Sequence, residues 1–207
     1  MIAVKAPKGA QLLYFPMYDC QVSGGYKNKD YKDRHGYVHY GVDFDDRWGK
    51  DFDVIASGEG TVLGIEKNKN SIGGVVVIRY NKVYIPKTGK IKDLIVRYYH
   101  FAKINVKKGD KVKAYQKIGS ISGGHKWWNH IHFEMDTDTK FPFYTPQVKE
   151  AASDLLKRNK LSVAILSAAI INPMDVLVIG KKQKAKVHSR ADCADPVKDA
   201  PQYEEAA

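Results

Sequence analysis

Asn129-His130-Ile131-His132-Phe133-Glu134 is the stretch on which the fold turns. Apolar Ile131 and Phe133 alternate with His130, His132 and Glu134, the period of two that marks a β-strand. Residues i and i+2 of a strand share a face, so His130 and His132 look into one groove with Cα atoms roughly 6.5–7 Å apart. At that spacing one imidazole can hold a metal while the other handles a proton. The plainer reading is two exposed histidines on an edge strand.

Short strands of the same kind run upstream. Gln11 to Phe15, closed by Pro16, reads as an edge strand, and residues 21–36 as a polar loop. His39-Tyr40-Gly41-Val42-Asp43-Phe44, Asp53 to Ala56, Gly60 to Ile65, Val75 to Tyr80 and Leu94 to His100 read as strands. Asn81 to Asp93 is a hairpin excursion, and Val106 to Val112 places apolar residues around a Lys108-Gly109-Asp110 turn, a hairpin signal. Ile118 to Ile121 leads into a Gly-rich loop that carries Trp127-Trp128. Short strands punctuated by glycine predict an all-β fold, mainly an antiparallel β-sandwich or barrel.

Beyond Asp136 the pattern changes. Thr145-Pro146 and helical apolar spacing predict one helix to Lys160, near the C-terminus. Leu161 to Ile171 fits helix or strand. Asn172-Pro173 breaks it, and Met174 to Ile179 reads as a last strand. The expected organisation is one domain over 1–180, with an insertion at about 140–171, and a charged, weakly ordered tail at 181–207.

The 207 residues are 43% hydrophobic, enough for a substantial core. Net charge is +11 and the pI near 9.4, which favours a polyanionic partner: nucleic acid, acidic membrane or anionic cell wall. Cys20 and Cys193 form neither a disulfide framework nor a metal knuckle. The longest apolar run is too short to span a bilayer. No apolar h-region follows Lys5, so the expectation is cytoplasmic synthesis without a signal peptide.

His39 and Asp43 lie four apart with Gly41 between them. Fully extended they would be about 13 Å apart, so sharing one metal requires a bend near Gly41. Two histidines and an aspartate make a catalytic zinc set that leaves one position for water. Two further histidines would take a proton or stabilise an oxyanion. No H-E-x-x-H helix, G-x-S-x-G or P-loop occurs.

With Tyr98-Tyr99-His100, Gly58-Glu59-Gly60-Thr61-Val62, Val106 to Val112, Ile118-Gly119 and Asn172-Pro173, the chain resembles the lysostaphin/LytM-type zinc peptidoglycan endopeptidases, roughly over 35–136 and 172–179. The resemblance implies the duplicated hybrid motif fold and one zinc ion per chain, held by His39, Asp43 and His132. It implies His100 and His130 as the catalytic pair that activates water and steadies the tetrahedral intermediate. The implied activity is cutting peptide stems or cross-bridges of peptidoglycan; the missing signal peptide then suggests a phage or prophage endolysin, or a lysin carried by a mobile element, that reaches the wall after release. The expected partners are peptidoglycan peptide and anionic wall polymers; a monomer is expected, with no specific nucleic acid and no membrane span.

The chain departs from the family in Trp127-Trp128-Asn129, which stand where a small residue is usual before H-x-H; they wall the groove or pack the loop. Tyr31 and Tyr37 are the candidates for the tyrosine that some members carry, and neither fits well. His35 and His125 read as solvated loop histidines. Glu134 shares the face of His132 and either orients it or forms a surface salt bridge. The alternative function is a non-catalytic hybrid-motif module, wall-binding or carrier, although no modifiable Met-Lys-Met triplet is present. A nucleic-acid binder lacks a recognition motif.

Overall fold

The computed structural model describes residues 1–46, 50–67, 73–122, 129–144, 163–187 and 193–207. The fold is all-β with little helix. Its large sheet runs in the order β10 (Lys111–Val112), β6 (Gly60–Glu66), β7 (Gly74–Ile85), β8 (Lys90–Phe101), β12 (Ile131–Asp136), β4 (Val42–Asp45), β3 (Asp19–Gly24) and β15 (Lys184–Val187), with β13 (Ile170–Ile171) on the end of β12. Neighbours are antiparallel except β15 with β3. A three-stranded sheet joins β5 (Phe52–Ile55), β11 (Lys117–Ile121) and β9 (Lys103–Ile104). A parallel sheet joins β1 (Ile2–Val4), β16 (Tyr203–Glu205), β14 (Leu177–Ile179) and β2 (Leu13–Tyr14).

One apolar core unites the three sheets, because alternate residues of their strands point inward. Phe133 stacks edge-on against Phe44 at 5.7 Å and Tyr98 at 4.9 Å, so the centre of the large sheet is held beneath the site by aromatic contacts. The buried hydroxyls of Tyr80 and Tyr98 lie 2.7 Å apart, and both accept from the Ser57 backbone N–H.

Several sequence expectations change. Residues 21–36 are not simply a loop: part of β3 is there, followed by a helix, Lys29–His35. That helix buries no residue and is set by its ends: the Asn28 side chain accepts from Tyr31 N–H, and Gly36 closes it at φ 77°. The strand expected from His39 starts only at Val42, because the chain bends at Gly41. Val106 to Val112 turns at Gly109 without forming a hairpin; β9 pairs with β11, and β10 with β6. The turn docks on β6 instead, where Gly109 N–H donates to Val62 O and Val62 N–H to Asp110 O. Val163–Ala169 is helix and Ile170–Ile171 strand, so the ambiguous run contains both. The charged tail is not weakly ordered at its strands: β15 and β16 are both built into sheets, on neighbours too distant in sequence to read from local pattern. The helix expected at 145–160, Trp127, Trp128, His125 and His188 lie outside the described residues.

Candidate metal centre

His132 sits directly across from Asp43 in the antiparallel register of β12 and β4. The bend before β4 swings His39 back over the same point. His39 Nε2 lies 3.0 Å from Asp43 Oδ1 and 2.9 Å from His132 Nδ1, and His132 Nδ1 lies 2.9 Å from Asp43 Oδ1. Four tetrahedral ligands on zinc at 2.0–2.2 Å are separated by roughly 3.3–3.6 Å, so this triangle is slightly smaller than one face of such a site. Absence of a side chain allows the closure. A Cβ at Gly41 would come within 2.6 Å of His132 Cε1 and 2.7 Å of the Phe133 carbonyl oxygen.

Each ring is oriented by its other nitrogen. His39 Nδ1–H donates to Gly25 O at 2.8 Å, leaving Nε2 for the site. His132 Nε2–H donates to Glu134 Oε1 at 3.2 Å, leaving Nδ1. Such outer bonds fix tautomer and direction together. Glu134 is wholly buried, not in a surface salt bridge; its Oε2 accepts from Arg97, which also binds Asp136. Asp43, Glu134 and Asp136, set against Arg97 alone, leave this buried arm with an excess of two negative charges, the amount a divalent cation neutralises. A proton on His132 offsets one of the two. Burial opposes charge on His132, but hydrogen bonds to Asp43 and Glu134 raise its pKa to about 9. Burial likewise opposes ionisation of Asp43, yet His39, His130 and His132 hold it well below the usual carboxylate range.

His100 and His130 stand at the mouth, both partly exposed, with ring centroids 4.7 Å apart. His130 Nε2 is 3.9 Å from Asp43 Oδ1, and the ring of His100 is 6.2 Å from that of His132. Regular alternation would turn His100 into the core with Val96 and Tyr98. A bulge prevents this: Val76 pairs with Tyr98 and Gly74 with Phe101, so two residues of β8 oppose one of β7. His100 takes the left-handed conformation, φ 72°, and faces the site beside Tyr99, while Phe101 returns to the core. The bulge needs Gly73, where a Cβ would come within 2.7 Å of His100 Cα.

All five sequence-derived site residues therefore converge. The sequence did not point to Arg97 or Gly25, and offered Tyr31 only as one of two candidate tyrosines. Arg97 carried no local signal, since its partners lie on another strand. Tyr31 stacks on His39 at 3.9 Å, nearly parallel, and its hydroxyl is 3.5 Å from that of Tyr37. Burial, then the Asp43 charge, keeps the Tyr31 phenol protonated far above its usual range. His35 is an exposed helix residue, its ring centroid 4.4 Å from that of Tyr31. Among the described residues no helix is long and apolar enough to cross a membrane.

The family profile of peptidase family M23 matches residues 37–142. Stage II sporulation protein Q of Bacillus subtilis is 36% identical over 102 residues, 47% of this chain and 32% of that protein. Peptidoglycan DD-endopeptidase ShyB of Vibrio cholerae is 36% identical over 118 residues, 56% of this chain and 25% of that one. The chain thus matches a third or less of either relative's length. Among solved structures, the SpoIIQ-SpoIIIAH pore-forming complex superposes with a TM-score of 0.54 at 22% identity, covering 82% of this chain and 92% of the other, and shares the fold.

Proposed function

We propose, from the premise that the chain belongs to peptidase family M23, that it is a zinc-dependent endopeptidase acting on the peptides of bacterial peptidoglycan. The observation that carries this is the triangle of His39 Nε2, Asp43 Oδ1 and His132 Nδ1, with two more histidines at its open side. A zinc ion held there supplies Lewis acidity for amide hydrolysis. His39, Asp43 and His132 are its ligands. His130 and His100 are the catalytic pair: they accept a proton from the attacking water, donate to the oxyanion and deliver a proton to the leaving amine. Tyr31 packs the outer face of His39 and limits its movement.

Peptidoglycan as substrate is supported by the similarity to ShyB. The net charge of +11 suits adsorption to anionic wall polymers, as for an endolysin that meets the wall after release; salt weakens such attraction. A second reading, a scaffold that assembles with a protein partner, is suggested by the SpoIIQ-SpoIIIAH pore-forming complex, whose fold the chain shares.

The test is turbidity loss of purified cell walls, with mass spectrometry of the released muropeptides. Wild-type protein loaded with zinc is expected to release cleaved peptides. Chelation and His132→Ala are expected to abolish release, and added zinc to restore only the chelated wild type. Walls cleared equally well by metal-free protein would overturn the zinc mechanism. No cleavage by zinc-loaded wild type on walls of several bridge types would favour the scaffold.

A further inference from the structure

We propose that Arg97 is a positioning residue for the metal centre, locking Glu134 so that the ring of His132 turns Nδ1 toward the site; this rests on the zinc reading above. Arg97 lies opposite Glu134 in the register of β8 and β12. Glu134 and Asp136 share a strand face, so one guanidinium reaches both. All three side chains are buried, with Arg97 1%, Glu134 0% and Asp136 3% exposed.

Each branch of the guanidinium has its own acceptor. Nη1 donates to Glu134 Oε2 at 3.2 Å, Nη2 to Asp136 Oδ2 at 2.5 Å, and Nε to the Pro142 carbonyl oxygen at 2.9 Å. The Tyr99 hydroxyl adds a weaker contact to Glu134 Oε2 at 3.5 Å. With Oε2 committed on that side, Oε1 is the oxygen that faces His132 and accepts its Nε2–H at 3.2 Å. The planar fork therefore fixes the carboxylate plane, and the carboxylate fixes the imidazole. Without the fork, the His132 ring regains the broad freedom of an sp³–sp² torsion. Lysine would keep the charge but has no fork to span three acceptors. The hydrogen bonds of Arg97 go to Pro142, Glu134 and Asp136 and to none of His39, Asp43 and His132, so it acts on His132 through Glu134.

Two measurements test this: zinc affinity, by competition with a chromophoric chelator, and the His132 tautomer in zinc-loaded protein, by long-range proton–nitrogen NMR. Arg97→Lys is expected to fold, to raise the zinc Kd roughly 10–100-fold, and to replace the single Nε2–H signature of His132 with a mixture. Asp136→Asn is isosteric and carries the test if Arg97→Lys does not fold; loosening one branch is expected to give the same signature with a smaller rise in Kd. A folded variant with wild-type zinc affinity and one tautomer overturns the role. Weakened zinc binding with an unchanged tautomer overturns it too, since it reports general loss of packing. Failure of the wild type itself to bind zinc would sink the zinc reading; indifferent variants beside a zinc-binding wild type sink only the role of Arg97.

Discussion

His39 and His132 reach the same point from opposite sides and are braced in opposite ways. His39 leans on backbone. Its Nδ1–H meets the Gly25 carbonyl, Gly25 N–H donates to Cys193 O at 2.8 Å, and a Cβ on Gly25 would overlap the Asp199 carboxylate. Asp199 in turn accepts from Asp195 N–H at 2.7 Å, so residues 193–199 form a buttress behind His39. His132 leans on buried charge, through Glu134, Arg97 and Asp136. A brace made mostly of backbone groups depends on packing and titrates only through the Asp199 carboxylate, whose pKa burial raises. A brace of buried charges is worth more, but only while every member is present.

The comparison breaks most severely at Asp43, the one group both sides share. Asp43→Ala is expected to abolish metal-dependent cleavage and to destabilise the metal-free protein by about 3–5 kcal/mol at neutral pH, read by denaturant titration, because a buried charged partner is removed. Stability close to wild type would mean that the two histidines do not depend on the carboxylate.

The charged side carries its own pH signature. The pKa of His132 is raised to about 9, so its contribution to metal-free stability is complete below its unfolded value of 6.5. That contribution, on the order of 3 kcal/mol, is lost as pH rises from there through about 9. Melting temperature of the metal-free protein should fall across this window, and zinc affinity should rise, since the ion must displace the proton. Glu134→Gln should flatten both slopes. An unchanged slope in that variant would remove Glu134 from the brace.

The backbone side gives the smallest effect. Asp199→Ala is expected to cost about 1 kcal/mol through the Asp195 N–H it leaves unsatisfied, and to weaken zinc binding modestly. The pH slope between 6.5 and 9 should be that of the wild type, which isothermal calorimetry and melting curves can check. A changed slope would show that the two braces are coupled.

What was legible in the sequence was what local spacing can carry. His-x-His placed two rings on one face, and His39 with Asp43 required the bend found at Gly41. The series of strands from Asp53 to Ile121 followed from glycine punctuation. Pairings between distant residues were not legible. Arg97 meets Glu134 only because β8 and β12 are neighbours in register. The strands Lys184–Val187 and Tyr203–Glu205 are short and polar; the first pairs with Asp19–Gly24, and the second lies between Ile2–Val4 at the other end of the chain and Leu177–Ile179. The helix Lys29–His35 had readable ends in Asn28 and Gly36, but its polar faces offered no apolar stripe to draw attention to it.

A pleated strand lends each face only every second side chain. The extra residue in β8 doubles that density for one step, so Tyr99 and His100 serve the same cleft from adjoining positions. Deleting either would restore the ordinary pleat and still leave Phe101 in the interior. A scaffold of this build can thus remove a side chain from the cleft by a single codon while the triangle of His39, Asp43 and His132 stays whole.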